Sequence, residues 1–271
     1  MARVISFAST FLLGATAMPA TAQTAFFYGT PVPQASLSRF PSVVVEADSL
    51  GSPTAMQENG CEVFAYVSVG EAEGWRPSAC GLPQALFIGQ NEEWGSRIAD
   101  LTQAPWQDYL LRQRMAPLWA AGYRGFFLDT LDSHRRATTN PDEAARQTRA
   151  LIALIQAMRA RFPDAKLLLN RGFDILAAVA PIVDGVVAES LFERWDQAAR
   201  EYMPVPDADR LWLLARLREA RDTYRLPVTV IDYVPSDKPA LARETAQRIR
   251  ALGFAAWVAN PGLDTLPEWT F

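Results

Sequence analysis

The stretch GFFLDTLDS, residues 125–133, begins with an apolar run and turns abruptly acidic at Asp129. A run without polar side chains is apolar on both faces, which is typical of a strand buried on both sides in a parallel sheet. Similar short runs, most of them β-branched or aromatic, recur along the chain. We predict eight such strands, at Phe26–Tyr28, Val43–Ala47, Val63–Val69, Gly125–Thr130, Lys166–Asn170, Gly185–Ser190, Val228–Val234 and Phe254–Asn260.

Helical patterns separate many of these strands. Asn140 followed by Pro141 is a favourable N-cap and first-turn pair, and apolar residues at helical spacing follow it. Alternating strands and helices predict an α/β fold, and eight strands in about 250 residues favour a closed (β/α)8 TIM-type barrel. An open, doubly wound sheet is the alternative. We expect a single barrel domain over residues 23–271, with short helices after the first two strands and an incomplete helix after Asn260.

The composition is that of a globular protein with a large core, with 49% hydrophobic and 21% charged residues. The formal net charge of −4 argues against nonspecific binding to nucleic acid or to anionic membranes. A single histidine, His134, and two cysteines offer few ligands for a transition metal. We therefore expect no metal, no cofactor and no nucleic-acid partner.

The first residues have the pattern of a secretory signal. Arg3 precedes a largely apolar run, and Ala20-Thr21-Ala22 is a small-residue cleavage site. We expect a secreted or periplasmic protein without a transmembrane segment once residues 1–22 are removed, and an uncleaved N-terminal anchor is the alternative. In an oxidising compartment, Cys61 and Cys80 are expected to form one disulfide, with two free thiols as the alternative.

Polar side chains stand at the end of nearly every predicted strand. In a closed barrel these ends meet on one face, where active sites form. Asp129 and Glu189 stand out because each ends an apolar run, on the fourth and sixth strands. Two facing carboxylates suit glycoside hydrolysis, in which one is the acid and the other the nucleophile or base. The further candidates, for substrate binding, are Tyr28, Glu46, Ser68, Glu71, Asp132, Asn170, Arg171, Trp195, Asp232 and Tyr233.

Aromatic rings at or beyond the strand ends, among them Trp75 and Trp195, predict a platform for the apolar face of a sugar. Trp257 lies inside a predicted strand, so it belongs either to this platform or to the core. Trp106 lies in a helical stretch and is predicted to be a core residue. His134 follows the fourth strand, and we expect it to be solvated at the rim.

Two motifs in this order are specific, YVSVGE at residues 66–71 and GFFLDTLDS at residues 125–133. Weaker matches surround them, namely FYG at 27–29, VVVE at 43–46, NRGF at 170–173, AES at 188–190 and IDY at 231–233. Together these segments resemble the glycoside hydrolase family 114 endo-α-1,4-polygalactosaminidases. They are most similar to the hydrolase domains that process the Pel exopolysaccharide of biofilms.

The resemblance implies a (β/α)8 barrel and endo-cleavage of α-1,4-linked galactosamine or N-acetylgalactosamine polymers. It also implies a retaining mechanism with Asp129 as the nucleophile and Glu189 as the acid/base. A noncatalytic polysaccharide-binding barrel of the cell envelope is the alternative from another class. Substrate-assisted catalysis is disfavoured, because it needs carboxylates clustered on one strand, and Asp129 and Asp132 are too widely spaced for that.

Overall fold

The computed structural model describes residues 23–74, 76 and 79–267. Most of its strands are buried runs of β-branched, aromatic and aliphatic residues, as the sequence predicts. Within these residues the strands are, in chain order, β1 (Thr24–Phe27), β2 (Ser42–Val45), β3 (Glu62–Ser68), β4 (Glu71–Glu73), β5 (Phe87–Asn91), β6 (Ser96–Ala99), β7 (Gly125–Asp129), β8 (Lys166–Asn170), β9 (Gly185–Glu189), β10 (Glu193–Asp196), β11 (Glu201–Pro204), β12 (Val228–Tyr233) and β13 (Ala255–Ala259).

Eight of the described strands form one parallel sheet in the order β1-β2-β3-β7-β8-β9-β12-β13. The last strand, β13, returns to lie against β1. Beside this seam the backbone N–H of Tyr28 donates to the carbonyl of Leu263 at 2.7 Å. An open sheet would leave β1 and β13 on opposite edges, so the sheet is a nearly closed (β/α)8-type barrel. The eight predicted strands are confirmed, with ends that differ by at most two residues.

Helices lie between the barrel strands. The described α-helices are α1 (Gln34–Leu37), α2 (Ala47–Leu50), α3 (Thr54–Glu58), α4 (Ala104–Asp108), α5 (Ala116–Ala120), α6 (His134–Ala137), α7 (Pro141–Arg161), α8 (Leu176–Val179), α9 (Asp207–Asp222) and α10 (Pro239–Ala251). A π-helical segment, Tyr109–Met115, joins α4 to α5, and 3-10 helices cover Gln84–Leu86, Phe173–Ile175 and Ala180–Ile182. The helices after β1 and β2 are short, as predicted, and residues 260–267 contain no helix. Within the described ranges, no helix is long and apolar enough to cross a membrane.

The local sequence determines where helix α7 begins and which of its faces is buried. The Asn140 side chain accepts hydrogen bonds from the backbone N–H groups of Asp142 at 2.9 Å and Glu143 at 3.3 Å. Pro141 occupies the first turn, where its missing N–H costs nothing. These features leave fewer backbone N–H groups of the first turn without a partner. A buried stripe that includes Leu154 packs into the core.

The segment after β3 forms a small antiparallel sheet of β4, β6 and β5. Glu71, on β4, is only 5% exposed. Its carboxylate accepts hydrogen bonds from Asn91 Nδ2 at 3.0 Å, from Ser133 Oγ at 2.5 Å and from Ser96 Oγ. Because Ser133 follows β7, this carboxylate ties the small sheet to the loop after Asp129. Glu71, which the sequence predicts to bind substrate, therefore has its carboxylate occupied by hydrogen bonds within the protein.

The predicted disulfide is wrong, because Cys61 and Cys80 are free thiols. Cys61 is buried at the amino end of β3, whereas Cys80 is exposed in the segment that follows the other end of β3. Burial raises the pKa of the Cys61 thiol to about 11, which makes it a poor nucleophile at neutral pH. The predicted signal at residues 1–22 lies outside the described residues.

Gly125 allows β7 to lie close to β3 at the amino end of the barrel. It pairs with Phe64, and a methyl group at Gly125 would lie 2.5 Å from Cδ1 of the buried Phe64 ring. We therefore expect Gly125→Ala to lower the free energy of unfolding by roughly 1–3 kcal/mol, measured by urea denaturation. Combined with Phe64→Leu, it should destabilise less than the sum of the two separate effects. Strictly additive losses would contradict the close contact.

Candidate active site

Asp129 and Glu189 end β7 and β9, and β8 lies between these strands in the sheet. Asn170 ends β8, and its Nδ2 donates to Asp129 Oδ1 at 2.7 Å and to Glu189 Oε1 at 3.2 Å. One amide nitrogen therefore contacts both carboxylates, so these two oxygens lie no more than about 6 Å apart. All three side chains are half-buried. The structure thus brings together three of the residues that the sequence singles out.

Two tyrosine hydroxyls complete the hydrogen bonding of the carboxylate pair. Tyr66, on β3, donates to Asp129 Oδ2 at 2.8 Å, and Tyr233, at the end of β12, donates to Glu189 Oε2. Each carboxylate is therefore held at both of its oxygens. The sequence interpretation includes Tyr233 but misses Tyr66. The available signal is register, because Tyr66 lies two residues before Ser68 and so faces the same side of β3.

Burial raises the pKa of Asp129 and of Glu189 above the usual range of carboxyl groups. Hydrogen bonds from Asn170 and Tyr66 oppose this rise at Asp129. At Glu189 the hydrogen bond from Tyr233 opposes it, while the negative charge of Asp129 adds to it. Such a pair can hold a proton on one carboxyl group while the other is ionised, as general acid catalysis requires. Among the described residues, no group of three or more His, Cys, Asp or Glu side chains could hold a metal ion.

A buried arginine, Arg76, supports the site from the segment after β3. Its guanidinium donates two hydrogen bonds of 2.6 Å to the carboxylate of Glu46 and pairs with Glu73. It also lies 5.0 Å from the centre of the Tyr66 ring. Glu46, which the sequence predicts to bind substrate, is therefore buried and paired with Arg76. The sequence interpretation misses Arg76, because a lone arginine in a loop carries no local sign of a distant partner.

Hydroxyl groups hold the turn that follows Asp129. Thr130 has a φ of 61°, in the left-handed region that β-branched residues rarely adopt. Its Oγ1 accepts a hydrogen bond from the backbone N–H of Gly70 at 2.9 Å and lies 3.0 Å from Ser68 Oγ. The Ser68 hydroxyl also lies 2.9 Å from the Glu71 carbonyl, to which it donates. Ser68, predicted to bind substrate, therefore uses its hydroxyl to hold two strand ends together.

Tyr28 and Arg171 lie next to the carboxylate pair. Burial, followed by the negative charges of Asp129 and Glu189, raises the pKa of Tyr28 well above its usual value. Arg171 follows the end of β8, and its positive charge opposes the rise in the pKa of Glu189. The Arg171 guanidinium lies 5.6 Å from the centre of the Trp212 ring. Both side chains are half-buried at this end of the barrel, and their contacts with substrate remain predictions.

Trp195 and Asp132 lie on segments that follow strand ends. Trp195 is on β10, which pairs with β11 in a hairpin, and its Nε1 donates to Gln197 Oε1 at 2.8 Å. Asp132 is exposed on the loop after β7. Neither side chain is buried, so their contacts with substrate also remain predictions. Trp75, predicted to be part of the aromatic platform, lies outside the described residues.

Four other residues are buried rather than open to a ligand. Asp232, which the sequence predicts to bind substrate, is fully buried, and its carboxylate accepts only backbone hydrogen bonds among the described residues. Trp257 is fully buried and packs edge-on against Phe40 at 5.5 Å, so it belongs to the core. Trp106 is also a core residue, as predicted. His134 is 3% exposed instead of solvated, and burial lowers its pKa.

Comparison with known proteins identifies the family. The profile of glycoside-hydrolase family GH114 matches residues 14–270. The glycoside hydrolase domain of PelA from Pseudomonas aeruginosa is 37% identical, with a TM-score of 0.83 over 90% of this chain and 96% of that domain. Ega3 from Aspergillus fumigatus, solved in complex with galactosamine, shares the fold at 16% identity, with a TM-score of 0.66 over 90% of this chain and 93% of Ega3. An uncharacterized protein from Deinococcus radiodurans is 27% identical over 247 residues, 84% of this chain and 76% of the relative.

The PelA match is close in both sequence and structure, and the family profile covers nearly the whole chain. Eight parallel strands with two carboxylates at their carboxyl ends agree with this assignment. The chain is therefore a glycoside hydrolase and belongs to glycoside-hydrolase family GH114.

Proposed function

We propose that this enzyme cleaves α-1,4-linked galactosamine or N-acetylgalactosamine polymers at internal bonds and retains the configuration of the anomeric carbon. Asp129 is the nucleophile and Glu189 is the acid/base. The enzyme acts outside the cytoplasm, in keeping with the predicted signal at residues 1–22. The observation that carries the proposal is the single Asn170 amide that contacts both carboxylates.

The spacing of the two carboxylates supports retention. Retaining enzymes keep their carboxyl groups about 5–5.5 Å apart, whereas inverting enzymes leave roughly 6.5–9.5 Å so that a water molecule fits between. The shared contact with Asn170 holds one oxygen of Asp129 and one of Glu189 within about 6 Å of each other, which favours the shorter class. An attacking water has little room between carboxylates held this closely.

The negative charge of Asp129 supports the division of roles, since both carboxylates accept two hydrogen bonds from neutral donors. Asn170 and Tyr66 both donate to Asp129, which favours the ionised form that a nucleophile needs. The charge of Asp129 in turn favours the protonated form of Glu189, which a general acid needs. Two carboxyl groups in different environments can therefore perform different steps of one reaction.

The reaction then proceeds in two halves. In the first, Asp129 attacks the anomeric carbon while Glu189 gives its proton to the glycosidic oxygen, and the bond between that oxygen and the anomeric carbon breaks. In the second, the ionised Glu189 takes a proton from a water molecule as this water attacks the anomeric carbon, and Asp129 leaves as a carboxylate. Glu189 is then protonated again, ready for another turnover.

An amino-sugar substrate suits the charges and rings at this end of the barrel. Asp129, ionised in the proposed mechanism, carries a negative charge that attracts a protonated amine, whereas the nearby Glu73 is paired with Arg76. Tyr28 and Trp195 offer rings for the apolar face of a sugar. Ega3, which shares the fold, is bound to galactosamine in its structure, and this supports the same class of sugar here.

Removing either carboxylate should abolish the reaction. We expect Asp129→Asn and Glu189→Gln each to lower the release of reducing ends from α-1,4-galactosamine polymers by at least about 10²-fold. Polymers of graded acetylation will define the preferred sugar. Glu62→Gln makes the same change at the amino end of the barrel and should behave as the wild type. Full activity of either site variant would refute the assigned roles, and wild-type inactivity on every polymer would refute the substrate.

The two tyrosines should affect opposite limbs of the pH profile of kcat/KM. Tyr66→Phe removes a hydrogen bond that lowers the pKa of Asp129. Activity falls at acidic pH because the nucleophile becomes protonated, so this acidic limb should move to higher pH. Tyr233→Phe removes a hydrogen bond that lowers the pKa of Glu189. Activity falls at alkaline pH because the acid becomes ionised, so this alkaline limb should also move to higher pH. If Tyr66→Phe moves the alkaline limb and Tyr233→Phe moves the acidic limb, the roles of Asp129 and Glu189 are reversed.

A further inference from the structure

The carboxylate of Asp232 accepts hydrogen bonds from three consecutive backbone N–H groups. Its Oδ1 accepts from Leu191 at 2.6 Å, and its Oδ2 accepts from Phe192 at 2.7 Å and from Glu193 at 2.9 Å. These residues belong to the segment that leads from Glu189 into β10. Consecutive N–H groups that converge on one anion form a concave nest, and here the anion is a side chain of the protein itself.

Burying a carboxylate costs free energy unless hydrogen bonds or an ion pair replace its lost hydration. Asp232 is fully buried, and in the part of the chain that the structure describes it has no ion pair with lysine or arginine. Burial raises the pKa of Asp232 to about 6, while the three backbone hydrogen bonds oppose that rise. A neutral residue at this position would avoid the desolvation cost but would leave the three N–H groups without their shared acceptor.

The neighbours of Asp232 connect this nest to the reacting pair. Asp232 and Tyr233 are consecutive on β12, so their side chains point to opposite faces of the strand. Tyr233 donates to the carboxylate of Glu189, and Asp232 holds the backbone that follows Glu189. One rigid strand therefore holds both the side chain of Glu189 and the main chain directly after it.

We propose that Asp232 is a positioning residue, which orients Glu189 for proton transfer by fixing the segment Leu191–Glu193. The inference rests on the proposed role of Glu189 as the acid/base. Without the three hydrogen bonds the segment can shift, and the Glu189 carboxyl group moves away from the glycosidic oxygen. Asp232 itself touches no substrate, because it is fully buried behind this segment.

Leaving-group dependence tests this role. Asp232→Asn keeps the size of the side chain but turns one acceptor into a donor that faces N–H groups. We expect it to lower kcat/KM on an α-1,4-galactosamine polymer by about 10²-fold, as a misplacement of the order of 1 Å would. The 2,4-dinitrophenyl α-glycoside of a galactosamine oligosaccharide has a leaving group that needs no proton. On this substrate kcat/KM should stay within a few-fold of wild type.

Two controls separate the possible outcomes. Glu189→Gln should show the same selective loss on the polymer, and if it does not, the proposed acid role of Glu189 fails before that of Asp232 is judged. Gly125→Ala strains the opposite end of the barrel, so it should lower stability without changing the ratio of the two kcat/KM values. If Glu189→Gln is selective and Asp232→Asn loses activity equally on both substrates, or on neither, the positioning role is refuted.

A second variant covers the case in which Asp232→Asn does not fold. Asp232→Ser keeps one acceptor in a smaller side chain, and the same ratio of kcat/KM values is the criterion. A selective loss on the polymer would support positioning. Failure of both variants to fold would show that Asp232 serves the stability of the barrel and would overturn the inference.

Discussion

The amide nitrogen of Asn170 lies between two carboxylates, and the proposed chemistry depends on that contact. It exists because β8 lies between β7 and β9 in a parallel barrel, so that three strand ends project side by side. Asn170 is uncharged, and it can donate to both carboxylates without neutralising either as an arginine would. Asp129 and Glu189 therefore remain close, coupled and able to divide one proton between them.

The acidic residues at this end of the barrel fall into two physical groups. Glu46, Glu71 and Asp232 are buried, and each has its carboxylate occupied by a guanidinium, by side-chain donors or by backbone N–H groups. Asp129 and Glu189 are half-buried and are held by neutral donors. A buried charge needs partners, so the first group builds the walls of the site, whereas the second stays available to react.

This division explains what sequence reasoning could and could not find. An apolar run that ends in an acid is a local pattern, so the strands and the paired carboxylates Asp129 and Glu189 are predictable. The same pattern also selects Asp232, because the donors that occupy it come from another strand end. Arg76 and Tyr66 escape prediction for the converse reason, since their partners are distant in the chain and become neighbours only when the barrel closes.

The configuration of the first product tests the central claim most directly. Proton NMR during the early turnover of a reduced-end galactosamine oligosaccharide distinguishes the two anomers before they interconvert. Two displacements at closely spaced carboxylates predict that the α-anomer is released first and the β-anomer grows in later by mutarotation. Release of the β-anomer first would mean a single displacement by water, and it would contradict the role of Asp129 as nucleophile.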